Sequence, residues 1–94
     1  MSDIKRDKQF WDMADSFIQL ANTHLNETKP SRVSASALFA ASRFNAFVAA
    51  AASENKAQFI AEKESAIAYF LQQYEAMLRE NLDEHLSRYE QQAS

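Results

Sequence analysis

The sequence predicts an all-α protein, a three-helix up-down bundle with a long C-terminal helix that a second subunit completes. Three observations carry that expectation. The 94 residues include no glycine and one proline, while strong helix formers abound, which disfavours the glycine-dependent hairpin turns of a sheet. Apolar residues recur at helical spacing in two stretches. Between them lies VSASALFAASRFNAFVAAAAS, Val33 to Ser53, apolar on nearly every side and therefore destined to be covered on nearly every side.

The first helix is expected over residues 7–28. Phe10, Trp11, Met13, Ala14, Phe17, Ile18, Leu20, Ala21 and Leu25 share one broad arc at 100° per residue, and Asp12, Ser16, Gln19 and Thr23 oppose them. Pro30 disfavours helical geometry at Lys29, so ETKPSR reads as a turn. The second helix is expected over 34–53, with Ser34 as its N-cap and Val33 packing on Leu38 as a hydrophobic staple. Asn55 followed by Gln58 has the pattern of a capping box, which places a helix boundary there.

The third helix is expected over 56–91, with Phe59, Ile60, Ile67, Phe70, Leu71, Tyr74, Met77, Leu78 and Leu82 on one face. Glu75 with Arg79 and Glu84 with Arg88 are i,i+4 pairs in the favourable order, a few tenths of a kcal/mol each. At about 1.5 Å per residue this helix outreaches both others by roughly 20 Å or more. Either it breaks near Asn81 to Asp83, or its last turns bury Leu82, Leu86 and Tyr89 on a second copy, and the second solution is favoured. The middle helix points the same way: its bulky residues face all directions, and two neighbours cannot cover it. A single domain and a homodimer are therefore expected, with an additional protein partner left open.

Composition excludes several functions. Ten basic against thirteen acidic residues give a net charge of −3, so no strong attraction to nucleic acid is expected. Cysteine is absent, which removes disulfides, thiol nucleophiles and zinc ribbons. No signal-peptide pattern opens the chain, and the alanine-rich run is interrupted by Arg43 and Asn45 and too short to span a bilayer comfortably; a soluble, cytoplasmic protein without membrane contact is the expectation. Without glycine there is neither a nucleophile elbow nor a phosphate loop, and no Glu-x-x-His or His-Glu-x-x-His spacing holds a metal, so neither metal nor cofactor nor catalysis is expected.

The residues that could still carry chemistry are few. Arg43 and Asn45 are 200° apart on the wheel and need different partners. A desolvated Arg43 should meet a carboxylate, with Asp7 the favoured mate and Asp15 or Glu64 as alternatives, or else bind an anion in an interhelical cavity. Asn45 could bond across to Asn81, a pairing of the kind that fixes helix register. Lys63 is expected to lay its methylenes on the apolar face and extend its ammonium outward. His85, beside Asp83 and Glu84, reads with Leu82, Leu86 and Tyr89 as an interface residue whose titration could make association sensitive to pH. Tyr69, opposite the apolar face, is expected to be exposed and awaiting a partner. The function this supports is a non-catalytic interaction or regulatory module that self-associates; the alternative is a helical protein that binds a small molecule or anion through Arg43.

Three segments, FWDMADSFIQLAN, VSASALFAASRFNAFVAAAA and AIAYFLQQYEAMLRENLDEHL, together resemble a small bacterial family of unknown function, DUF3144, with ASRFNAF and MLRENLD the most specific blocks. The resemblance covers most of the chain. It implies a bacterial, cytoplasmic, compact helical protein, and it carries no catalytic or ligand residue.

Overall fold

The computed structural model describes residues 5–93, and it is all-α: α1 (Lys8–His24), α2 (Pro30–Ala52) and α3 (Lys56–Ala93), with no strand among the described residues. Two compact units divide the chain, one up to Phe47 and one from Val48 onward.

In the first unit, Asp7 starts α1 by accepting a hydrogen bond from the Phe10 backbone N–H at 3.0 Å, satisfying one of the donors that every helix N-terminus leaves orphaned. The helix ends at His24, four residues earlier than the sequence suggests. There the bonding tightens to i→i+3: Asn26 N–H donates to the Thr23 carbonyl at 3.2 Å and Glu27 N–H to that of His24 at 3.0 Å. Such bonds satisfy the terminal carbonyls and release the chain into a turn before Pro30.

The start of α2 is a correction with a clear cause. The helix begins at Pro30 rather than after Ser34, because Lys29 acts as the cap: its carbonyl accepts from Arg32 N–H at 3.0 Å and from Val33 N–H at 3.2 Å. Proline suits the first helical position, where its missing N–H would have no intrahelical acceptor and its fixed φ is already helical. Val33 is therefore inside the helix, and it does not serve as the outer half of a staple. The gain of a turn makes α2 23 residues, about 34 Å. At that length, greater than the expected 34–53 span, it is the one helix among those described that is long and apolar enough to cross a bilayer, by length and composition alone, with a mean hydropathy of 1.3 over an 18-residue stretch.

In the second unit, Asn55 and Gln58 form the expected cap of α3. The Asn55 side chain accepts from Gln58 N–H at 2.9 Å, and the Gln58 side chain reaches back one residue further than the usual box, to Glu54 N–H at 2.6 Å. The break before it is helped by Ser53, whose hydroxyl donates to the Ala49 carbonyl at 3.2 Å. From Lys56, α3 runs unbroken for 38 residues, about 57 Å. No break occurs at Asn81, whose amide donates to the Met77 carbonyl at 2.8 Å and stays within its own helix. Both expected ion pairs form, Glu75 with Arg79 at 2.9 Å and Glu84 with Arg88 at 2.7 Å; Lys8 with Asp12 at 2.7 Å adds a third. All three are exposed and contribute little to stability.

Candidate functional site

The most telling property of the side chains is their exposure. None of the described residues is buried, although 47% of the chain is hydrophobic. Ordinary soluble domains place most Phe, Leu, Ile and Val inside, whereas here large residues of all four types are exposed.

Within the first unit the exposed apolar residues form a groove of about 840 Å³ between α1 and α2. Helix α1 supplies Phe17, Leu20, Ala21 and His24, and α2 supplies Val33, Ala37, Ala40, Ala41 and Phe44. These positions recur every three or four residues, so the groove runs along the two helices for about three turns. Alanines supply four of its lining positions, which lets another helix come close, and Phe17 and Phe44 line it with them. Thr28, His24 and Arg32 sit at the turn end, and Asn45 at the other. Spacing in the sequence contains this groove, but it becomes visible only once Pro30 is known to start α2 and Arg32 and Val33 are known to be helical.

In the second unit, the far end of α3 presents Leu82 at 57%, Leu86 at 54% and Tyr89 at 71% exposure, with His85 exposed beside them. Leu71 and Leu78 extend the same stripe toward the start of the helix. On the 100° wheel, Leu71 and Leu82 differ by eleven residues and so by about 20°, as do Leu78 and Tyr89.

Several polar residues have roles other than the expected ones. Asp7 is the cap of α1, and no ion pair joins it to Arg43 among the described residues. Arg43 is exposed rather than desolvated, and it is not one of the groove-lining side chains. Its neighbours one turn away on α2, Phe39 and Phe47, are themselves exposed and do not enclose it, so its charge stays hydrated. Asn45 is half-buried and lines the groove, whereas Asn81 spends its amide on Met77; the two lie in different units. Lys63 is exposed. Tyr69 is also a correction: it is half-buried, and its ring meets that of Phe70 edge-on at 5.3 Å. The half-buried positions Ala66, Tyr69, Phe70 and Gln73 fall on one side of α3, displaced from the stripe that the spacing of apolar residues alone picks out.

The N-terminal basic residues include one with a specific contact. The Arg6 guanidinium lies 5.6 Å from the Trp11 ring and 6.0 Å from that of Phe10, a cation–π arrangement at the start of α1. No group of three or more metal-ligating side chains occurs among the described residues.

The model of the family described as a protein of unknown function, DUF3144, matches residues 10–86, all but the ends of the chain. The chain belongs to the DUF3144 family. Neither a curated protein nor a solved structure matches it. The matched span begins with the aromatic start of α1 and ends at Leu86 in the exposed stripe, so the DUF3144 region includes both the groove and most of the α3 surface.

Proposed function

We propose that this DUF3144 protein is a non-catalytic, self-associating interaction module of the bacterial cytoplasm, whose folded state is a homodimer that completes the helical bundle. One observation carries the reading: in the single chain, none of the described residues is buried.

The groove and the α3 stripe supply surfaces of the right kind, apolar at the centre and charged at the margin. Against a membrane role for α2 stands Arg43, near the middle of the helix together with Asn45, where insertion into a bilayer would cost about 2.5–3.5 kcal/mol for the arginine alone. A protein partner leaves that guanidinium hydrated at a rim.

Sedimentation equilibrium on the full chain tests the reading. A dimer at micromolar concentration, unaffected by added anionic vesicles, is the expected outcome. A 10.7 kDa species with cooperative melting would overturn it, and so would recovery with the vesicle fraction.

A further inference from the structure

Resting on the reading of the protein as a homodimer, the geometry points to a specific reciprocal exchange: the α1/α2 groove of each copy receives the C-terminal third of α3, Leu78 to Tyr89, from the other.

Shape is the first argument. The groove is lined by Ala37, Ala40 and Ala41 together with Phe17 and Phe44, and small lining residues of this kind let a third helix approach to the usual 8–10 Å interaxial distance. The end of α3 is its converse, a convex ridge of Leu78, Leu82, Leu86 and Tyr89, each 42–71% exposed. Small residues facing large ones interdigitate, whereas two such ridges facing each other do so less well.

Length is the second argument. Helices α1 and α2 have 17 and 23 residues and α3 has 38, so even α2 laid fully alongside leaves 15 residues of α3, about 22 Å, with no helix of equal reach in its own chain. A second copy supplies that cover, and twofold symmetry provides the exchange twice.

Charge is the third, and it selects the groove over an α3-to-α3 seam. From Glu75 to Glu90, α3 carries five carboxylates against Arg79 and Arg88. Pairing that segment with its own copy sets two net-negative surfaces against each other. Helix α2, by contrast, has Arg32 and Arg43 and no carboxylate at all. These two arginines are eleven residues apart, hence on the same side of α2 to within about 20° and roughly 16 Å apart along it. One flank of the α3 ridge offers Asp83 and Glu90, seven residues apart and again within about 20°, together with Arg79, whose charge Glu75 already offsets at 2.9 Å. An arginine-bearing side of α2 meeting a segment of α3 with net negative charge favours this pairing of surfaces over an α3-to-α3 seam.

The absence of cysteine makes a direct test simple. Ala40→Cys and Leu82→Cys proteins, distinguished by a size tag, are mixed under conditions that exchange subunits and are then oxidised. The expected product is the mixed disulfide of Cys-bearing groove with Cys-bearing ridge, in excess over either homodimer. Predominant Leu82→Cys self-linkage would overturn the groove assignment and leave the homodimer standing. A wild-type chain that sediments as a monomer would overturn both, and a double variant that closes its disulfide inside one chain would overturn the exchange. Ala37→Cys with Leu86→Cys is a second pair if the first perturbs folding, and circular dichroism verifies the helices beforehand. Charge exchange gives an independent readout. Arg43→Glu should weaken dimerisation about tenfold and Asp83→Arg in the same chain should restore it; loss without rescue, or no loss, contradicts the proposed pairing of the α2 arginines with the α3 carboxylates.

Discussion

The α1/α2 groove and the far end of α3 are both exposed and apolar, yet they are made of opposite materials. The groove is concave, floored by alanine and set beside a helix that bears only positive charge; the α3 stripe is convex, built from leucine and tyrosine, and bears an excess of carboxylates. The contrast teaches that exposure alone does not describe a contact surface. Two leucine ridges or two alanine floors would associate through hydrophobicity without direction, whereas a floor and a ridge of opposite charge are complementary in shape and in field.

The largest effect should come from breaking the ridge. Leu82→Asp with Leu86→Asp puts four carboxylates into a dimer at positions that carry its buried apolar area, and the dissociation constant should rise at least a hundredfold, measured by sedimentation together with loss of cooperative melting. A dimer that survives this pair would place the contact elsewhere. Filling the floor is the matching change in the other region: Ala40→Phe overpacks a close helix approach and should weaken association by one to two orders of magnitude while leaving helix content intact. If it has no effect, the groove is not a docking surface.

A smaller effect belongs to the cap that starts α3. Asn55→Ala removes the acceptor for Gln58 N–H, costing about 1 kcal/mol and lowering the melting temperature by several degrees. The same change at α1, Asp7→Ala, should cost about as much per chain and leave Arg43 unaffected. A double-mutant cycle of Asp7→Asn with Arg43→Met should accordingly show coupling near zero in the thermal melt. Coupling above about 1 kcal/mol would mean that the two meet across the dimer. Smallest of all is Glu84→Ala, which removes an exposed pair and should move stability by a few tenths of a kcal/mol at most.

Legibility differs between local and non-local features. The cap at Asn55 and Gln58 and the i,i+4 pairs of α3 are readable because each depends on residues within one turn. The start of α2 is local too, but two rules compete there: proline disfavours helix at the residue before it and favours it at its own position. The first rule applied alone at Lys29 loses a turn of helix, and with it Arg32 and Val33 as groove residues. The Asp7–Arg43 pair fails for a different reason. A wheel gives direction around an axis but not depth, so it cannot distinguish a charge enclosed by neighbours from one whose neighbours, Phe39 and Phe47, are themselves exposed. Tyr69 departs from expectation likewise, since half-burial on α3 follows what lies against the helix and not how apolar its own faces are.

By itself, then, the sequence determined that the chain is helical, that it has three helices with the last the longest, and that its apolar residues exceed what those helices can bury. Those properties follow from backbone propensity, capping and periodicity, all of which act within a few residues. Only tertiary structure decided where the helices end, that α1 and α2 enclose an alanine-floored groove, and that Arg43 is hydrated while Asn45 faces inward. Depth and concavity depend on how far apart two helices lie, and that distance is set by side chains remote in sequence packing against one another.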